Sequence, residues 1–199
     1  LRHGVRNAHA GPGGQPDTEE GKAWIGTGAV ATVIMPEWYM SRFVDEISNM
    51  SGKFAIAPAP VFEKGQPRSI GLGGTGTVVT LTCPNIDLAA KFVTWAKLSD
   101  KGESMIWDVL GFDPVNTAVW TNEALTKNPE NKFNKYFLTN VFDTLNEIKD
   151  EIKYVASTSI SPTINSYLDT TLWNNVYVDK KDAQTEITAA QEAIAADIF

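Results

Sequence analysis

Histidine and cysteine are nearly missing from this 199-residue chain: the two histidines, His3 and His9, fall in its first nine positions, and Cys83 is its one cysteine. A Ser-His-Asp or Cys-His catalytic site needs an imidazole in the folded body, and none lies beyond His9. The same scarcity removes the commonest transition-metal ligand, and one thiol cannot build a zinc site, so neither a metal nor another cofactor is expected. No intrachain disulfide is possible. Cys83, beside Pro84 in an apolar run, reads as a buried inert thiol. Cationic side chains are also few. Lys and Arg total 17 against 24 Asp and Glu, a net charge of −7, and they form no stripe that could neutralise phosphates, so no nucleic-acid partner is expected. No run approaches the roughly 18 apolar residues of a membrane span. Leu1 to Glu20 has no apolar h-region, so an export signal has been removed or lies outside this sequence.

The chain otherwise has the composition of a globular protein, with 43% hydrophobic and 21% charged residues. Its first stretch, residues 1–28, is rich in Gly, Pro, Arg and His and lacks a period, so it reads as disordered or foreign to the fold. Ordered patterning is expected from Ala29. Ala29 to Ile34, Lys53 to Ala57 and Thr77 to Thr82 have the β-branched, apolar character of short strands. Trp38 to Ile47 reads as a short helix. Helices dominate afterwards. Leu88, Phe92, Trp95 and Ala96 share one face, and Asp100 with Glu103 marks a capping-box start for a helix ending at Gly111. Trp95 and Trp107, on helical apolar faces, are assigned to the core. Asp113-Pro114 can open a short helix. Further apolar stripes run through Val141, Leu145, Ile148 and Ile152, through Ile164, Leu168, Leu172 and Val176, and through Ile187, Ala190, Ile194 and Ile198. Three short strands make a thin sheet under so many helices, which implies sheet partners upstream.

Gly71-Leu72-Gly73-Gly74-Thr75-Gly76 matches G-x-G-x-x-G by letter. A polar loop precedes it and a β-branched run follows, so the strand-to-helix context of a dinucleotide site is missing. What is left is a loop whose backbone N–H groups can approach a ligand closely. The carboxylate pairs Asp45-Glu46 and Asp150-Glu151 are adjacent on helices, point apart, and read as solvated surface. The aromatic inventory is more telling: six Trp, five Tyr and nine Phe. Trp38-Tyr39 follows a strand where a helix begins. Trp120 ends a short helix, and Trp173 and Tyr177 lie four apart beside Asn174 and Asn175. Flat rings with polar neighbours suit ligands that have both C–H faces and hydroxyls, as sugars do.

Val33-Ile34-Met35-Pro36-Glu37-Trp38-Tyr39, Ser51 to Pro60 with its Ala57-Pro58-Ala59-Pro60, Gly73-Gly74-Thr75-Gly76, and the helix Leu88-Ala89-Ala90-Lys91-Phe92-Val93-Thr94-Trp95 together resemble the family 1 extracellular solute-binding proteins of bacterial ABC importers. The resemblance runs from about Ala29 to Phe199. It implies an α/β fold, the C-terminal part of a two-lobe (type II) periplasmic-binding-protein architecture, helix-rich with a few short strands. It also implies a split, with about 71–110 in the N-lobe and about 112–199 mostly in the C-lobe. By the same resemblance Trp38 and Tyr39 stack on sugar faces, the Gly73, Gly74 and Thr75 backbone donates hydrogen bonds, and Tyr167 and Asp169 fall near another cleft-facing position. Leu72 stands where relatives often carry an aromatic. The implied role is non-enzymatic: capture of an oligosaccharide or related sugar outside the cytoplasm, in the periplasm or as a lipoprotein at the outer face of the membrane, and its delivery to an ABC permease. The family's N-terminal half is not in residues 29–199, so weakened binding is expected, and incomplete sheet edges could pair two copies. Two other readings are open. In a helical scaffold or interaction protein every aromatic would be core, with Trp38 fully buried. A carboxylate-based glycosidase would need a working acid pair.

Overall fold

Several helix starts in this chain are set by Ser, Thr and Asn side chains that accept from backbone N–H groups otherwise left unpaired in the first turn. In the computed structural model, which describes residues 15–69, 76–153 and 157–198, Thr18 caps helix α1 (Glu19–Gly26) by accepting from Gly21 N at 3.1 Å. Glu19 and Glu20 then complement the positive end of its dipole. A 3-10 turn, Glu37–Tyr39, leads into α2 (Met40–Glu46). Asn85 caps α3 (Ile86–Leu98) and Ser99 caps α4 (Asp100–Leu110). The cap of α4 is therefore Ser99, one residue before the expected Asp100, and Glu103 accepts from Asn116 N at 3.2 Å instead of closing a capping box. Gly111, at φ +74°, ends α4 as expected. Asp113-Pro114 opens no helix; a 3-10 turn begins later, at Thr117. Then come α5 (Glu123–Thr126), α6 (Lys132–Tyr136) capped by Asn131, and α7 (Val141–Ile148) capped by Asn140.

The described residues form two compact units, 15–153 and 157–198. The core of the first is aromatic. Phe43 of α2 meets Tyr39, Phe54, Tyr136 and Phe137 with ring centroids 4.9–6.1 Å apart. Trp107 of α4, with no exposed surface, meets Phe133 at 5.2 Å and Phe142 at 4.7 Å. Each such ring contributes about 1.5–3 kcal/mol by burial, with roughly 0.5–1.5 more from edge-to-face geometry. Residues 107 and 142 thus share one core, across the position where the resemblance draws its lobe boundary.

Helix α1 lies inside the stretch read from sequence as unstructured. Its Ile25 is buried in the same core as Ile47 and Met50, and Asn49 Nδ2 donates to Gly26 O at 2.7 Å. One amphipathic face of eight residues is too short to stand out against its Gly- and Pro-rich neighbours.

The expected strands are not found: among the described residues no segment forms a strand. A strand needs successive backbone partners along a ladder, and residues 53–57 have only isolated ones. Leu138 N donates to Phe54 O at 2.8 Å, and Ile56 N donates to the Thr139 hydroxyl at 2.7 Å. Residues 29–34 and 77–82 are β-prone in composition and carry no ladder. Without strands there is no sheet edge, and pairing of two copies through such edges loses its basis.

Trp95 departs from its core assignment. It is 43% exposed, and Leu88, Phe92, Met105 and Val109 of α3 and α4 are exposed with it. Helical period identifies a face that favours burial but not an element to bury it. Cys83 is only partly buried.

In the second unit α8 begins at Ser161–Ser166 and continues through Tyr167–Leu172 and Asn174–Val178 as a wider π-helix. Thr170, Thr171, Asn174, Asn175, Val176 and Val178 are weak α-helix formers, and the Thr170 hydroxyl donates back to Ser166 O at 2.6 Å, which loosens the regular ladder. After a turn with Lys180 at φ +60°, Asp182 accepts from Thr185 N at the head of α9 (Ala183–Ile198). Tyr167 bonds Asp197 and Asn175 bonds Glu186. These pairings make α8 and α9 an antiparallel hairpin.

Candidate functional site

Trp38 sits on the 3-10 turn that starts α2, with Pro36 fixing the extended approach. Its ring is half-buried at the rim of the core. Tyr39 meets it edge-on at 5.8 Å, and the Arg42 guanidinium carbon lies 6.0 Å from its centroid. Arg42 is held in turn by Asp17 at 3.1 Å and Glu46 at 3.6 Å. Tyr39 itself is 1% exposed, and its hydroxyl donates to Pro16 O. In this chain it braces Trp38 from below and offers no free ring face.

The residue before Trp38 brings in a group that sequence reasoning did not single out. The Asp113 carboxyl is hydrogen-bonded to Glu37. Burial, then that bond, then the negative charges of Glu37 and Glu103 push Asp113 up to about 7. Asp113 therefore keeps its proton close to neutrality and can donate it to Glu37 in that bond. Asp113 and Glu37 are far apart in sequence, and no spacing rule would have paired them. Carboxyls in direct hydrogen bond are closer than the roughly 5–9.5 Å that two-carboxylate glycoside hydrolysis requires. The arrangement is a pair of carboxyls in mutual contact, one of them on the residue before Trp38. It does not supply an acid and a nucleophile on opposite sides of a bond.

Gly73, Gly74 and Thr75 lie outside the described residues. Downstream of residue 57, Ala59 N donates to Arg68 O at 2.9 Å, and Arg68 reaches the C-terminal end of α7, pairing with Glu147 and with Glu151 at 2.5 Å. This charge cluster holds the Glu151 carboxyl down to about 2.

The second unit carries the other two candidates and separates them. Two residues apart on a helix they fall on roughly opposite sides. Tyr167 bonds Asp197 of α9 at 2.9 Å, and Asp169 is exposed. Among the described residues no cluster of His, Cys, Asp and Glu is arranged to hold a metal ion, and no helix is long and apolar enough to cross a membrane.

Comparison with known proteins adds a second line of evidence. Residues 11–103 match the family model of the bacterial extracellular solute-binding proteins, and the match begins ahead of α1. An arabinooligosaccharide-binding protein of Halalkalibacterium halodurans is 38% identical over 188 residues, covering 94% of this chain and 42% of its own length. A protein of the same name from Bacillus subtilis is 43% identical over 143 residues, covering 71% of this chain and 33% of its own. The chain thus spans less than half the length of these curated relatives.

Proposed function

The chain belongs to the bacterial extracellular solute-binding proteins, a family with the periplasmic-binding-protein fold, and on that premise we propose that it serves extracytoplasmic capture of an oligosaccharide and its delivery to an ABC import permease. The observation that carries this reading is the likeness to two arabinooligosaccharide-binding proteins, one of which extends over 94% of the chain. An arabinose oligomer is accordingly the proposed ligand. Trp38 supplies the stacking face, braced by Tyr39 and Arg42. The Glu37–Asp113 pair supplies hydroxyl partners, and the backbone of Gly73, Gly74 and Thr75 supplies donors. Within the second unit Tyr167 and Asp169 offer polar groups of their own, and a lipid anchor holds the protein at the outer face of the membrane. Binding is non-covalent, with no bond made or broken.

Trp38 also separates this reading from the helical scaffold. A scaffold would bury that ring completely, and here it is half-buried. The test is saturation-transfer NMR, which reads weak binding, with arabinooligosaccharides of two to five units and this chain. Wild type should give saturable transfer, and Trp38→Ala should lose most of it. Unchanged transfer in that variant would remove Trp38 from the site; no transfer to wild type at any length would refute sugar capture.

A further inference from the structure

Trp173 is 55% exposed, unusual for the bulkiest aromatic side chain. It is not loose, however. Its ring stacks on Tyr177 with centroids 4.1 Å apart and planes 30° apart, so one face is backed and the other is open. The helix beneath is braced: Asn175 Nδ2 donates to Glu186 of α9 at 2.6 Å, and Lys181 Nζ donates to Asn175 Oδ1 at 3.1 Å. Asp169, four residues earlier and so on the same side of the helix, and Asn174 beside it are both exposed. The pair also sits on a π-helical stretch, a rare geometry that recurs at functional sites.

From this arrangement we infer that Trp173, backed by Tyr177, is a stacking platform for one sugar ring of a bound oligosaccharide, with Asp169 and Asn174 as partners for its hydroxyls. The ligand class follows from the surroundings. A ring fixed in advance loses little side-chain freedom on binding. A flat aromatic face flanked by a carboxylate and an amide matches a molecule with an apolar C–H face and hydroxyl edges. Tyr177 is a positioning residue, since its ring holds the indole and does not touch the ligand. The inference rests on the sugar-capture reading above and adds a contact that the second unit carries by itself.

The experiment measures affinity for arabinooligosaccharides of two to five units by calorimetry and saturation-transfer NMR, with wild type, Trp173→Ala, Trp173→Phe and Trp38→Ala. Because Trp173 is exposed, its substitution should leave the far-UV circular dichroism unchanged. Trp173→Ala should remove about three- to tenfold of oligomer affinity, and Trp173→Phe should restore most of it. If Trp173→Ala binds every length as wild type does while Trp38→Ala loses binding, the platform is overturned and sugar capture stands. If wild type binds no oligomer, both fall.

Discussion

Replacing Asp113 with asparagine should remove much of a pH dependence that the carboxyl pair builds into the first unit. Asp113 has an ordinary value of 3.8 in the unfolded chain and about 7 in the folded one. Between those values the folded state keeps a proton that the unfolded state has released, so stability falls as pH rises through the window. The contribution is fully present below about pH 4 and gone above about pH 7. A rise of this size corresponds to roughly 2–4 kcal/mol, a large part of the 5–15 kcal/mol that typically holds a domain together. Asparagine is neutral at every pH and can still donate to Glu37. The D113N chain should therefore match wild type near pH 4.5 and exceed it by roughly 2–4 kcal/mol near pH 8.5. With a urea slope of about 2 kcal/mol per molar, that is a midpoint shift of about 1–2 M. Tryptophan fluorescence during urea unfolding at four pH values reads it directly. Other carboxylates titrate in both proteins and cancel in the difference. A wild-type-minus-variant difference that stays flat from pH 4.5 to 8.5, or grows in wild type's favour, would refute the raised Asp113 carboxyl.

The glycines and the loop clamp give two further tests. Gly111 (φ +74°) and Gly52 (φ +73°) share a left-handed backbone, but a Cβ on Gly111 would collide with the Phe133 ring, whereas one on Gly52 meets nothing within 4 Å. Gly52→Ala should cost about 1–2 kcal/mol from backbone strain alone, and Gly111→Ala about 1–3 kcal/mol more; equal urea midpoints would contradict the packing described for Phe133. Arg68→Ala should free the loop that Arg68 ties to α7 and let Glu151 climb from about 2 toward its ordinary 4.5. The lowered carboxyl stabilises the fold above about pH 4.5, and that contribution fades as pH falls through 2. NMR titration of Glu151 and faster amide exchange at Ala59 would both follow; an unmoved Glu151 would argue against the clamp.

Local rules were legible in the sequence because they act over a few residues. The ends of α4, the short helix after Trp38, the stripe Val141, Leu145 and Ile148 buried on α7, and the last helix all follow from period and caps. The motif run from Val33 to Trp95 was enough to indicate the family. What depended on distant partners was misread or missed. Strand-like composition at 29–34, 53–57 and 77–82 found no ladder, since β-branched residues favour an extended backbone but cannot supply the neighbouring chain. The apolar faces of α3 and α4 were legible, their exposure was not.

The candidate site divides along the same line. Trp38, Trp173 and Tyr177 could be singled out as rings at element ends or one turn apart with polar neighbours. Tertiary structure alone buried Tyr39 under Trp38, turned Tyr167 toward α9 and away from Asp169, and set Asp113 against Glu37. The physical reason is range. Dihedral preference and hydrogen bonding to near neighbours are written into consecutive residues, whereas burial, paired carboxyls and the exposure of a ring face depend on segments far apart in sequence that meet only once the chain has folded.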